Sequence, residues 1–77
     1  GKGVYCYNMD TKESTLYSFD LNKKNSISDN MVTCIAEDRN QRIWLSTMGG
    51  GLNLYRPETN DFERFTSRQD GLRIRCL

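Results

Sequence analysis

The feature that most narrows what this chain can fold into is an internal repeat. Gly3-Val4-Tyr5-Cys6-Tyr7-Asn8-Met9-Asp10-Thr11 matches Gly51-Leu52-Asn53-Leu54-Tyr55-Arg56-Pro57-Glu58-Thr59 in its apolar pattern and in the closing acidic-threonine pair. Further along, Leu16-Tyr17-Ser18-Phe19 answers Phe62-Glu63-Arg64-Phe65, and Ser26-Ile27 answers Gly71-Leu72. The spacing of about 45 to 48 residues is that of propeller blades of four strands each.

Hydrophobic periodicity agrees. Short apolar runs of strand length stand at 3–7, 15–19, 31–37, 42–47, 51–55 and 62–66, and no sustained three-four spacing signals a helix. The segments between them, such as Asn8-Met9-Asp10-Thr11-Lys12-Glu13, Asp38-Arg39-Asn40-Gln41 and Met48-Gly49-Gly50, are rich in turn-forming residues. The fold expected is therefore all-β, a β-propeller fragment of about one and a half four-stranded antiparallel blades. Residues 1–30 supply the outer strands of one blade plus a connection, 31–66 one complete four-stranded blade, and 67–77 the connection into the next. Such a cut leaves unpaired strand edges, which seek further blades in the same parent chain or in other copies. The chain opens on Gly1 rather than methionine, in keeping with a portion of something longer.

Charge and size exclude several function classes. Eleven basic against ten acidic residues leave a net charge of +1, too little for the phosphate contacts of nucleic-acid binding. No apolar run approaches the roughly 20 residues that span a bilayer, and no charged-then-apolar leader stands at the start. Cys6, Cys34 and Cys76 are odd in number, far apart and set among apolar or alternating neighbours. They read as small buried hydrophobes, and any disulfide is left unassigned.

With no histidine in the chain and no CxxC spacing, no metal site is expected, and the commonest general base is missing. Glu37 and Asp38 are adjacent on a strand and project to opposite faces, the wrong geometry for a paired-carboxylate hydrolase. Gly49-Gly50-Gly51 lacks the lysine and helix of a phosphate loop and reads as a hairpin. Asp38 is assigned to turn capping, and Trp44, flanked by Ile43 and Leu45, to core packing rather than ligand stacking. Val32, Cys34 and Ala36 alternate with Thr33, Ile35 and Glu37, as an inner strand sandwiched between blades requires. The aromatics Tyr5, Tyr7, Tyr17, Phe19, Tyr55, Phe62 and Phe65 lie at strand spacing and serve mostly core or blade-edge packing. No catalytic residue, cofactor or specific ligand contact is assigned.

The stretch from Ile27 to Asp38, followed by Arg42-Ile43-Trp44-Leu45-Ser46-Thr47 and Gly49-Gly50-Gly51-Leu52-Asn53-Leu54-Tyr55, resembles the two-component regulator propeller repeat. That repeat is found in the periplasmic sensor halves of bacterial hybrid histidine kinases. Val32, Ile35, Asp38, Trp44, Thr47 and the glycines fall in step with its pattern. Gln41 and Ser46 depart from it, since glycine is usual at both places. Without glycine at the first, Asn40 is expected to take the positive φ of the hairpin.

The resemblance implies a segment of a periplasmic ligand-sensing propeller, part of an inner-membrane protein that is homodimeric as parent. It would report small-molecule binding, with a glycan as the expected ligand, across the membrane to a phosphorelay that regulates transcription. The segment itself is not an enzyme on this reading. Two alternatives stay open: a blade of a sialidase-like glycan-active propeller, and a blade of a protein-interaction propeller. Propeller ligands sit at loops contributed by several blades, so most of any site lies on other residues.

Overall fold

The computed structural model describes residues 2–65. Six strands follow one another: β1 (Val4–Tyr7), β2 (Ser14–Tyr17), β3 (Val32–Glu37), β4 (Ile43–Thr47), β5 (Leu52–Arg56) and β6 (Asp61–Phe65), with no helix among the described residues. Each falls on a run that the alternation predicts, with ends moved by a residue or two. Thr66, the connection at 67–77, the Gly71-Leu72 match and Cys76 lie outside the described residues. β1 and β2 form an antiparallel pair, and β3-β4-β5-β6 form a four-stranded antiparallel meander. The all-β, blade-and-a-half fold class is the one expected.

The strand register corrects the repeat in one place. Val4 pairs with Tyr17 and Tyr5 with Leu16, just as Leu52 pairs with Phe65 and Asn53 with Arg64. The two hairpins thus correspond at one offset of 48, and Tyr17 is the partner of Phe65 in the repeat, not of Glu63. The turns agree: the positive-φ residues are Lys12 (φ 63°) in one and Asn60 (φ 55°) in the other, again 48 apart. Thr15-Leu16-Tyr17-Ser18-Phe19 alternates equally well when slid by two residues, so periodicity alone does not fix its register.

A second correction concerns the inner strand. Val32 faces Thr47 but Cys34 faces Ser46, so Thr33 is an extra residue in a β-bulge. Because Thr47 and Ser46 point to opposite faces, Val32 and Cys34 do too. Val32 therefore does not share a face with Cys34 and Ala36, as unbroken alternation predicts. It packs with Ile27, Leu45 and Phe62, whereas Ala36 lies opposite Trp44 on the other face.

The core sits where the two sheets meet face to face. Ile27, Leu45 and Phe62 are its buried centre, with Val4, Tyr17, Val32, Ile43 and Tyr55 packed around them. Tyr17 meets Tyr55 (5.7 Å, 65°) and Phe62 (5.3 Å, 87°) edge-on, the favoured arrangement for aromatic rings, and its hydroxyl lies 3.2 Å from that of Tyr55. Burying a side chain the size of Ile27 completely contributes about 1.5–3 kcal/mol, so this one residue of the connection holds it firmly to the sheet.

The cysteines divide. Cys34 is buried and disulfide-bonded, whereas Cys6 is an exposed free thiol, contrary to the expectation of burial. Among the described residues β1 pairs with β2 alone, and Cys6 lines an apolar opening of about 200 Å³, with Ile35, Ile43 and Tyr55 among its other walls. Ile35 is 53% exposed there.

Candidate functional site

In an antiparallel meander, successive turns fall at opposite ends of the sheet. The β3–β4 and β5–β6 turns share one end, and the β4–β5 turn shares the other with the connection that enters β3. This second end is the candidate site, because a connecting segment and a glycine turn are built into one surface there.

Its construction depends on short polar side chains. The Asp29 carboxylate accepts the N–H of Met31 (3.1 Å) and, from across the turn, the N–H of Gly49 (2.9 Å). These bonds, that of Met31 foremost, hold its carboxyl below the usual carboxylate range. The Met48 N–H donates to the Met31 carbonyl (3.0 Å), closing the same contact through the backbone. Thr47 Oγ1 accepts from the Gly50 N–H (3.0 Å) and donates to the Gly51 carbonyl (3.0 Å), so one hydroxyl shapes the whole turn.

Gly50 is required by space: a Cβ there would stand 2.5 Å from Ser28 Oγ and 2.6 Å from the Ser28 carbonyl. Gly51 is required by conformation, at φ 80°. The resulting surface presents Met31 (46% exposed) and Met48 (72%) over a closed set of hydrogen bonds.

Beneath it lies Asn53, fully buried. Its Oδ1 accepts the Ser28 N–H (3.0 Å) and its Nδ2 donates to Ser28 Oγ (2.8 Å), so both edges of the amide read one serine. Arg64 fastens the earlier part of the connection. It donates to the Ser26 carbonyl (2.8 Å), Ser26 Oγ (2.8 Å) and the Lys23 carbonyl (3.1 Å), and its guanidinium lies 5.5 Å from the centre of the Phe19 ring. Asn30 Oδ1 accepts the Phe19 N–H (2.6 Å). Sequence reasoning missed Asn53 and Arg64. A lone asparagine between Leu52 and Leu54 on a buried strand is the signal that points to the first; none marks the second.

The opposite end is a structural corner. Asp38 Oδ1 accepts the N–H groups of Asn40 (2.8 Å) and Arg42 (3.0 Å), and Oδ2 accepts Arg42 Nε (2.7 Å) and Trp44 Nε1 (2.9 Å). The Trp44 indole bond, followed by these backbone and guanidinium donors, holds the Asp38 carboxyl far below the ordinary range. Asp38 thus caps the turn, as expected, and also clamps the tryptophan. Trp44 is 6% exposed and packs on Phe65 at 5.5 Å, so its ring is buried by packing on the face of the sheet opposite Leu45.

Gln41, not Asn40, takes the positive φ (60°). The Gln41 N–H donates to the Asp38 carbonyl (3.1 Å) and closes a turn in which Arg39 and Asn40 are central, so the left-handed residue is the one that follows. Ser46, the other departure from the repeat, pairs its hydroxyl with that of Thr33 at 2.8 Å.

Of the aromatics, Tyr17, Tyr55, Phe62 and Phe65 pack together or on Trp44, while Tyr5 (68%) and Tyr7 (58%) are exposed. Among the described residues, no cluster of three or more His, Cys, Asp or Glu is arranged to hold a metal ion.

A groove of about 670 Å³ runs along the outer side, between the connection at 18–27 and the start of β6, with Lys23, Asp20 and Asp61 in its walls. Residues 26–49 match the family model of the two component regulator propeller. They contain the whole of Ser28, Asp29 and Met31 at one end of the sheet and the Asp38 corner at the other. No curated protein matches the chain.

Proposed function

Because residues 26–49 carry a two component regulator propeller repeat, we propose that the chain is part of the ligand-sensing propeller of a bacterial hybrid two-component sensor. The sensing domain lies in the periplasm, as part of an inner-membrane protein that works as a homodimer. It signals the binding of a small molecule, a glycan breakdown product, to the kinase and response regulator on the other side of the membrane. The segment itself performs no catalysis and contacts no nucleic acid. Its neighbours are further blades that close the ring.

The observation that carries this reading is that the matched residues build the connection end of the sheet. Ser28 is tied to Asn53, Asp29 to Gly49 and Met31 to Met48, which supports the reading by making a preorganised loop surface of the kind that can contribute to a ligand site.

The test is the melting temperature of the complete ring against a panel of oligosaccharides. A ligand at a hundred times its dissociation constant adds about 2.7 kcal/mol of stability. A saturable rise with one glycan class supports the reading and names the signal. A flat panel rejects a glycan and shifts the assignment to a protein partner or another small molecule.

A further inference from the structure

We propose that the exposed face of the β1–β2 hairpin seats the preceding blade of the same ring, through an apolar joint that lacks the side-chain pins found inside this chain. The inference rests on the propeller architecture and needs no ligand.

It follows from comparing equivalent positions in the two hairpins. On β5 and β6, Asn53 and Arg64 are cross-strand partners, and together they fasten the incoming connection at Ser28, Ser26 and Lys23. On β1 and β2 the same two places hold Tyr5 and Leu16, which are also cross-strand partners. A phenol cannot present an acceptor and a donor side by side to one serine, and leucine has neither. Tyr7 stands where Tyr55 stands in the next hairpin.

What results is an uncovered stripe of Tyr5 (68% exposed), Leu16 (42%) and Tyr7 (58%), on the side of the hairpin turned away from the core. The occupant is read from the interface already present in the chain. Tyr17 of one sheet meets Tyr55 of the next edge-on, so a sheet stacked in the same sense sets the side chain equivalent to Tyr17 against Tyr7. Its connection then carries apolar side chains where this chain has Ser26 and Ser28.

The experiment uses the complete ring. Hydroxyl-radical footprinting is expected to modify Tyr5 and Tyr7 several-fold more slowly in the folded ring than in the denatured ring, at every protein concentration. Protection that disappears on dilution assigns the face to a second copy, and absence of protection leaves it bare; either overturns the proposal. The double variant Y5N/L16R installs the asparagine-arginine pair, and its melting temperature is expected to fall. An unchanged or raised value means that the joint accepts polar pins, which also overturns it. Should that variant fail to fold, Y5F keeps the ring and removes the hydroxyl. It is expected to melt as the parent does, and a clear fall shows that the hydroxyl is a pin.

Discussion

The two ends of the four-stranded sheet are each organised by an aspartate, and they work over different distances. Asp38 takes all its partners from residues 40–44, so its corner is complete within one hairpin. Asp29 reaches Gly49, and its neighbour Ser28 reaches Asn53, across 20 and 25 residues. A corner made of near neighbours forms with its hairpin; a seam between distant segments forms only when the sheet and the connection meet. The connection end is therefore the part whose shape depends on the rest of the blade.

Substitutions in the complete ring, followed by denaturant unfolding, can break this contrast. Ile27→Ala removes the apolar anchor of the connection and is expected to cost about 2–5 kcal/mol. A loss below that range means the polar seam holds the segment without its anchor. Asn53→Leu leaves the Ser28 N–H and hydroxyl without their buried partner, an expected loss of about 1–3 kcal/mol. It should also raise amide exchange at 28–31 and 48–50 before it does so at 38–42. Uniform acceleration would deny that the two ends are separable.

At the corner the sign reverses. Gln41→Gly relieves a left-handed non-glycine residue and is expected to stabilise by about 1 kcal/mol, visible as a higher denaturant midpoint at constant slope. The smallest effect is in pH. Both aspartates have folded-state pKa values below the ordinary carboxylate value, Asp38 by far the more. The stability they contribute is present above about pH 4 and is lost as pH falls towards their folded values. Asp38→Asn should flatten the acid limb of a stability–pH curve more than Asp29→Asn does, and the opposite order would place the stronger clamp at the connection end.

The same contrast explains what could be read from the sequence. Asp38-Arg39-Asn40-Gln41 announces its turn because cause and effect are adjacent, and only the choice between Asn40 and Gln41 for the positive φ needed the geometry. The strands were legible because one buried face imposes a period of two. The bulge was not: Val32-Thr33-Cys34-Ile35-Ala36-Glu37 alternates without a break on paper, and the shift shows only against β4. The role of Asn53 was hidden because its partner lies in a segment with no regular structure of its own. Nor did any single residue of the loop surface stand out as a contact, since its shape is made by backbone N–H groups and hydroxyls rather than by distinctive side chains.

The extra residue at Thr33 also bears on how such repeats can be recombined. Ahead of it, Val32 faces the sheet that comes before; beyond it, Ile35 does so, while Cys34 and Ala36 take the opposite face. An engineered ring that joined this repeat to another between Val32 and Cys34, kept all the residues and replaced the bulge by unbroken alternation would leave every strand its full length. It would nevertheless turn Val32 out of the seam it fills. Grafts are safer when cut within the exposed stretch at 21–25, where no side chain has yet been committed to a face.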